Sequence, residues 1–213
     1  MLSQFKRSIL VWMVFLFSPY LVAEQSKRVM ITPELFSFVV EHEGESVEIK
    51  RNQESDNTIH ELYLTTSRGT PQPMFPFEPY EVETIGEREF IEYLQQAQTD
   101  SSTLIVDTRT EGWHYRLTIP GSTNIPYTLL KDPETISDTL EELGAINKDG
   151  VWDFSRAKTL AAFCNGYWCG QTPTFIWALL ELDYPEEKLN YYRGGMQAWT
   201  SLGLTTVGDY YLE

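Results

Sequence analysis

The sequence predicts an α/β protein: a parallel sheet with helices packed on it, preceded by a small β-rich extension. Three observations point there. Short, wholly apolar runs such as Thr103–Val106 and Thr159–Phe163 suit strands buried on both faces. Segments with apolar residues at helical spacing alternate with those runs. The first part of the chain, in contrast, carries only short β-branched and aromatic stretches separated by polar turns.

The elements follow in order along the chain. Lys6 and Arg7 precede the apolar stretch Ser8–Phe17, and a small residue, Ala23, stands before Glu24. This is the layout of a secretory signal peptide over residues 1–23, with an apolar run short of the roughly 20 residues a membrane span needs. Residues 24–79 form the extension. Phe36–Val40, Val47–Lys50 and Ile59–Leu64 read as strands, with Gly44 and the polar run Asn52–Asn57 as turns. Thr70–Pro79 holds four prolines, Pro71, Pro73, Pro76 and Pro79, which favour an extended connector over helix or central strand.

From about Tyr80, within the unit 80–213, strands and helices alternate. Glu87–Ala97 places Phe90, Ile91 and Leu94 on one helical face, and Thr103–Val106 is a strand ending at Asp107. Thr135–Leu143 is helical and stops before Gly144. Thr159–Phe163 and Leu189–Tyr192 are further strands, joined by a helix with Thr172 as N-cap and Pro173 at its first position. Pro185 disfavours helix at Tyr184, so that helix ends near Asp183. In such sheets functional groups gather at the C-terminal ends of strands, here Asp107–Arg109 and the loop after Phe163.

Charge narrows the partners. With 31 acidic and 16 basic residues the net charge is -15, and loss of Lys6 and Arg7 with the leader makes it -15 - 2 = -17. This excludes nucleic acid and anionic membrane surfaces as partners, which both select basic patches. The mature chain is expected to be exported, periplasmic in a Gram-negative bacterium and otherwise secreted, where two cysteines meet an oxidising environment. Three histidines and two cysteines without ligand spacing predict no metal, and no cofactor is implied.

The loop Cys164, Asn165, Gly166, Tyr167, Trp168, Cys169 and Gly170 connects a strand to a helix N-terminus. Its backbone N–H groups can cradle an anion or a persulfide, and a thiol at Cys164 is favoured as the nucleophilic thiolate. Tyr167 and Trp168 should line its mouth. The phosphatase reading fails because the position six after the cysteine is Gly170, where an arginine is needed to clamp phosphate.

Three stretches around this loop resemble the rhodanese-like family over roughly residues 80–206: Leu104–Arg109, Ile119–Pro126, and Tyr192–Trp199 with Gly203–Leu204. The resemblance implies a five-stranded parallel sheet with helices on both faces, and sulfur transfer through a persulfide on Cys164. Two features depart from the family pattern: Thr118 stands where many members have histidine, and the loop contains no basic residue. Positive charge would come from Arg109, Arg116, Arg193 or His114, with Asp107, Arg109 and Arg193 as substrate or structural support. Cys169 is also outside the general pattern. The donor or acceptor would be a small sulfur-containing anion or a protein thiol or persulfide, and the extension is a candidate surface for a protein partner. Two other functions stay open: thiol-disulfide chemistry by Cys164 and Cys169, and a non-enzymatic binding module.

Overall fold

A computed structural model describes residues 28–209; the leader read over residues 1–23, with cleavage after Ala23, lies outside them. Among the described residues nine strands form three sheets. The central sheet has five parallel strands in the order β3 (Glu83–Ile85), β9 (Leu189–Tyr192), β8 (Thr159–Phe163), β4 (Thr103–Asp107) and β5 (Thr123–Asn124). The remaining strands pair antiparallel as two hairpins, β1 (Ser37–His42) with β2 (Glu45–Lys50) and β6 (Ile146–Lys148) with β7 (Val151–Asp153). Among the described residues no helix is long and apolar enough to cross a membrane.

The alternation of side chains along β8 divides the core. Leu160 and Ala162 face one side, where α3 (Ile136–Glu142) contributes Leu140 and α4 (Gln171–Glu181) contributes Phe175, Ile176, Leu179 and Leu180. Ala161 and Phe163 face the other, against Phe90, Ile91 and Leu94 of α1 (Glu87–Ala97) and Met196 and Trp199 of α5 (Gly195–Ser201). Both faces are covered, so each short apolar run is buried on both sides, as the pattern predicts. A short helix, α2 (Glu111–Arg116), follows β4.

The extension is built into this core. Val40, Ile49 and Tyr63 pack in the same cluster as Phe90 and Trp199. Beyond β2 the chain continues antiparallel to the C-terminal segment, with Asn52 N–H donating to Gly203 O at 2.7 Å and Thr205 N–H to Lys50 O at 3.0 Å. The connector then changes face. Tyr63 lies in one core cluster and Phe77 in the other, so the residues between them pass over the C-terminal ends of the strands.

Three expectations need correction. Ile59–Leu64 is not a strand: Glu61–Tyr63 is a 3₁₀ turn capped by the His60 side chain, and it sends only Tyr63 into the core. Thr172 is not the N-cap of α4, which begins at Gln171 with Gly170 at the cap; the Thr172 hydroxyl instead bonds Thr108 Oγ1 at 2.8 Å. That helix ends at Glu181, ahead of Asp183 in the left-handed region.

Candidate active site

β8 is central in the sheet, and the residue after its last position is Cys164. The loop back to α4 is held from below by the start of α5. Met196 N–H donates to Cys164 O and Gln197 N–H to Asn165 O, both at 3.0 Å. This approach is only open to glycine at 195. Its φ is +54°, and a Cβ there would stand 2.3 Å from Cys164 O. The loop closes on itself through Cys169 N–H to Gly166 O at 2.8 Å.

Both sulfurs are buried, Cys164 at 2% and Cys169 at 6% exposure, and both are thiols. The Cys164 thiol donates to the Cys169 carbonyl at 3.6 Å, the Cys169 thiol donates to Gln171 Oε1 at 3.7 Å, and the two sulfurs lie close enough to shift each other's ionisation. Burial pushes the Cys164 thiol well up, and its interaction with the Cys169 thiol adds to the rise. The same interaction, with the N–H groups of Gln171 and Asn165 and the charge of Arg109, outweighs burial at Cys169 and brings it down to about 7. The expectation of a favoured thiolate at Cys164 is therefore corrected. The Gln171 and Asn165 amides favour negative charge on Cys169, whereas at Cys164 burial outweighs the bonds from the Thr172 hydroxyl and N–H.

Arg109 is wholly buried. It holds Asp107 bidentately, Nε to Oδ1 at 2.9 Å and Nη2 to Oδ2 at 2.6 Å, and gives Nη2 also to Leu117 O at 2.7 Å. Burial would raise the Asp107 carboxyl, but the Arg109 guanidinium, with a bond from His114, holds it down at about 2. The other side of Arg109 faces the loop: Nη1 lies 3.3 Å from both Tyr63 Oη and Asn165 Oδ1. Arg109 thus supports the loop through Asn165 and adds positive charge near Cys169. Arg193 sits elsewhere, donating to Gln72 O at 2.7 and 3.1 Å with its guanidinium 5.6 Å from the Tyr167 ring. Tyr167 is 41% exposed at the rim, whereas Trp168 is half-buried with Nε1 on Gln197 Oε1 at 2.7 Å.

Sequence reasoning missed a second layer. Residues 60–73 lie across the loop as a strap. Tyr63 Oη donates to Asn165 Oδ1 at 2.9 Å, Gln72 N–H donates to Tyr167 O at 2.7 Å, and the Arg68 guanidinium covers the Trp168 ring at 4.9 Å. Arg68 is anchored in the strap itself, donating to Leu62 O at 2.7 Å and Thr65 O at 3.2 Å. The four prolines signalled an extended chain, but nothing local in the sequence tied it to this loop.

The profile of the rhodanese-like domain family matches residues 90–202, more than half of the 213-residue chain. Similar solved structures include a Bacillus halodurans protein (TM-score 0.45, 17% identity, 60% of this chain and 78% of that one). Another is the rhodanese-like domain of an Anabaena protein (0.41, 16%, 60% and 80%). An E. coli rhodanese solved with anions also aligns (0.32, 20%, 49% and 96%). No curated protein matches the sequence.

Proposed function

The chain belongs to the rhodanese-like domain family, and on that premise we propose that it is a sulfurtransferase carrying sulfane sulfur on Cys164. The observation that carries the reading is the placement of the Cys164 thiol directly after the central strand β8, under a strand-to-helix loop that brings the Cys169 thiol beside it. Cys169 takes the proton of Cys164, which delivers the thiolate to Cys164. That thiolate attacks the outer sulfur of thiosulfate; the S–S bond breaks, sulfite leaves with the bonding pair, and a Cys164 persulfide remains. A nucleophile such as cyanide then takes the outer sulfur as thiocyanate and regenerates the Cys164 thiolate. No external oxidant or reductant is needed. The amides that favour negative charge at Cys169 suit the anionic persulfide as well.

Incubation with thiosulfate followed by mass spectrometry tests the reading: the peptide containing Cys164 should gain one sulfur atom, and Cys164→Ser should neither gain it nor form thiocyanate. A Cys164 peptide that stays unmodified with thiosulfate and with polysulfide would leave a non-catalytic member of the family. In the proposal the leader exports the chain, and small sulfur anions reach the thiols more readily than a folded protein would, because the strap covers the loop.

The closeness of the two thiols also favours a second reading, thiol-disulfide exchange between Cys164 and Cys169. In that case the pair reduces a disulfide substrate and itself becomes the disulfide. Consumption of both thiols on incubation with a disulfide, with no sulfur gained from thiosulfate, would select it.

A further inference from the structure

On the opposite side of Asp107 from the thiol loop lies a cavity of about 310 Å³ that no step above uses. It is lined by His42, Glu43 and Glu45 of the β1–β2 hairpin, by His114 and Tyr115 of α2, and by Thr118. Ligand atoms of His42, Glu43 and His114 lie within 4.8 Å of one another. We propose that these three side chains form a binding site for one first-row divalent cation, with Zn²⁺ as the best fit.

Four observations carry this, and none depends on the sulfur chemistry. First, the donor set is two imidazoles and a carboxylate, which suits borderline divalent ions and leaves a coordination position for water. Second, His114 is held as a ligand is held. Its Nδ1 bonds Asp107 Oδ2 at 3.0 Å, which fixes the ring and leaves Nε2 as the nitrogen free to bind. A carboxylate behind a histidine also raises its basicity toward a metal. Third, the His42 ring lies 6.2 Å from the His114 ring, centroid to centroid, so the hairpin brings it to the same cavity. Its Nδ1 accepts Gly121 N–H at a long 3.3 Å, a contact weak enough to yield to coordination. Fourth, Glu43 adopts φ +50°, the left-handed region, at a hairpin turn position where glycine, asparagine or aspartate is usual. With Gly44 at φ +83° it forms the two-residue turn that places the Glu43 carboxylate within 4.8 Å of the histidine ligand atoms. The net charge of -15 favours cations over the whole surface.

The ligands come from both parts of the chain, the hairpin supplying His42 and Glu43 and the sheet domain supplying His114. A bound ion would clamp the extension to the domain.

The test is calorimetric titration of Zn²⁺ into the full chain carrying Cys164→Ser and Cys169→Ser, which removes thiolate binding. One equivalent should bind, Tm should rise with Zn²⁺, and Co²⁺ should give the visible bands of a low-coordinate ion. His42→Ala and Glu43→Gln, both on the outer hairpin, should each weaken binding by about tenfold or more and abolish the Tm rise. Circular dichroism of each variant without metal confirms that it remains folded. Absence of binding at millimolar Zn²⁺ would overturn the site. So would binding of unchanged affinity in the folded His42→Ala and Glu43→Gln variants.

Discussion

The proton shared by the two thiols can be moved by removing either sulfur, with opposite outcomes. Cys169 is drawn down to about 7 chiefly by the bond from Cys164, whereas an ordinary thiol ionises near about 8.5. At pH 7 Cys169 is therefore about half ionised, against roughly 3% for an ordinary thiol, a gain of about fifteenfold in thiolate. A hydrogen bond to a charged group is worth about 1.5–3 kcal/mol, and one pH unit corresponds to about 1.4 kcal/mol. Cys164→Ala should thus raise the Cys169 midpoint by about one to two pH units. Cys169→Ala removes two influences that raise Cys164, the bond to Cys169 and its charge, but leaves the larger one, burial, so the Cys164 midpoint should come down and still stay above that of an ordinary thiol. The assay is ultraviolet thiolate absorbance against pH, checked by the pH dependence of alkylation. A midpoint near 7 that survives in Cys169→Ala would refute the reasoning, because Cys164 would then be the thiolate in its own right.

Other outcomes follow from the same geometry. Asp107→Asn should cost about 3–5 kcal/mol in urea unfolding, since it strands the buried Arg109 guanidinium. With the Asp107 carboxyl at about 2 when folded and near about 3.9 when unfolded, its contribution of about 2.5 kcal/mol is complete above pH 4 or so and is lost as pH falls through about 2. Acid unfolding of the parent should therefore show a component in that window which Asp107→Asn lacks. Gly195→Ala should destabilise the fold by about 2 kcal/mol or more and lower sulfur transfer, because its Cβ would press on Cys164 O; unchanged stability would show that the loop yields. Tyr63→Phe removes the strap's bond to Asn165, worth about 1 kcal/mol, so Cys169 should alkylate about fivefold faster. An unchanged rate would mean that access does not depend on the strap.

Much of the sheet was legible because the physics there is local. Thr159–Phe163 is apolar on both faces after its first residue, and Leu189–Tyr192 is buried throughout with Asn190 as its one polar side chain; both strands have the predicted bounds. The helix Glu87–Ala97 was legible from Phe90, Ile91 and Leu94 on one face. What failed was decided by contacts distant in sequence. Ile59–Leu64 has strand-like composition, yet its alternation is overruled by the cap from His60 and by Tyr63 turning in to meet Asn165. The hairpin Ile146–Asp153 carries too little apolar residue to announce itself, and is shaped by Asp149 and Gly150, both at positive φ. At the site, the order of loop and cysteines was readable, but the burial of Asn165 was not. A basic residue introduced at Asn165 looks attractive from sequence. In the structure it would displace the bonds to Tyr63 and Arg109. Which sulfur holds the proton was equally hidden, because it depends on whether the amides of Asn165 and Gln171 meet Cys169 or Cys164.

The pairing of the first hairpin with the end of the chain has a consequence for the order in which the molecule is made. Lys50 donates its N–H to Thr205 Oγ1 across 155 positions of sequence, and Asn52 bonds Gly203. Closing so long a loop is entropically costly until many other contacts share the cost, and topologies rich in such contacts fold slowly. The hairpin meets earlier partners too, with Glu41 N–H on Gln98 Oε1 and Gly121 N–H on His42 Nδ1, but its edge pairing is complete only once Gly203–Thr205 has been made. The thiol loop is complete in sequence before its last anchor, α5, whose Met196 and Gln197 N–H groups hold Cys164 O and Asn165 O. A polypeptide truncated before Trp199 would lack the bonds of Lys50 and Asn52 to Thr205 and Gly203, leaving the outer edge of its hairpin unpaired.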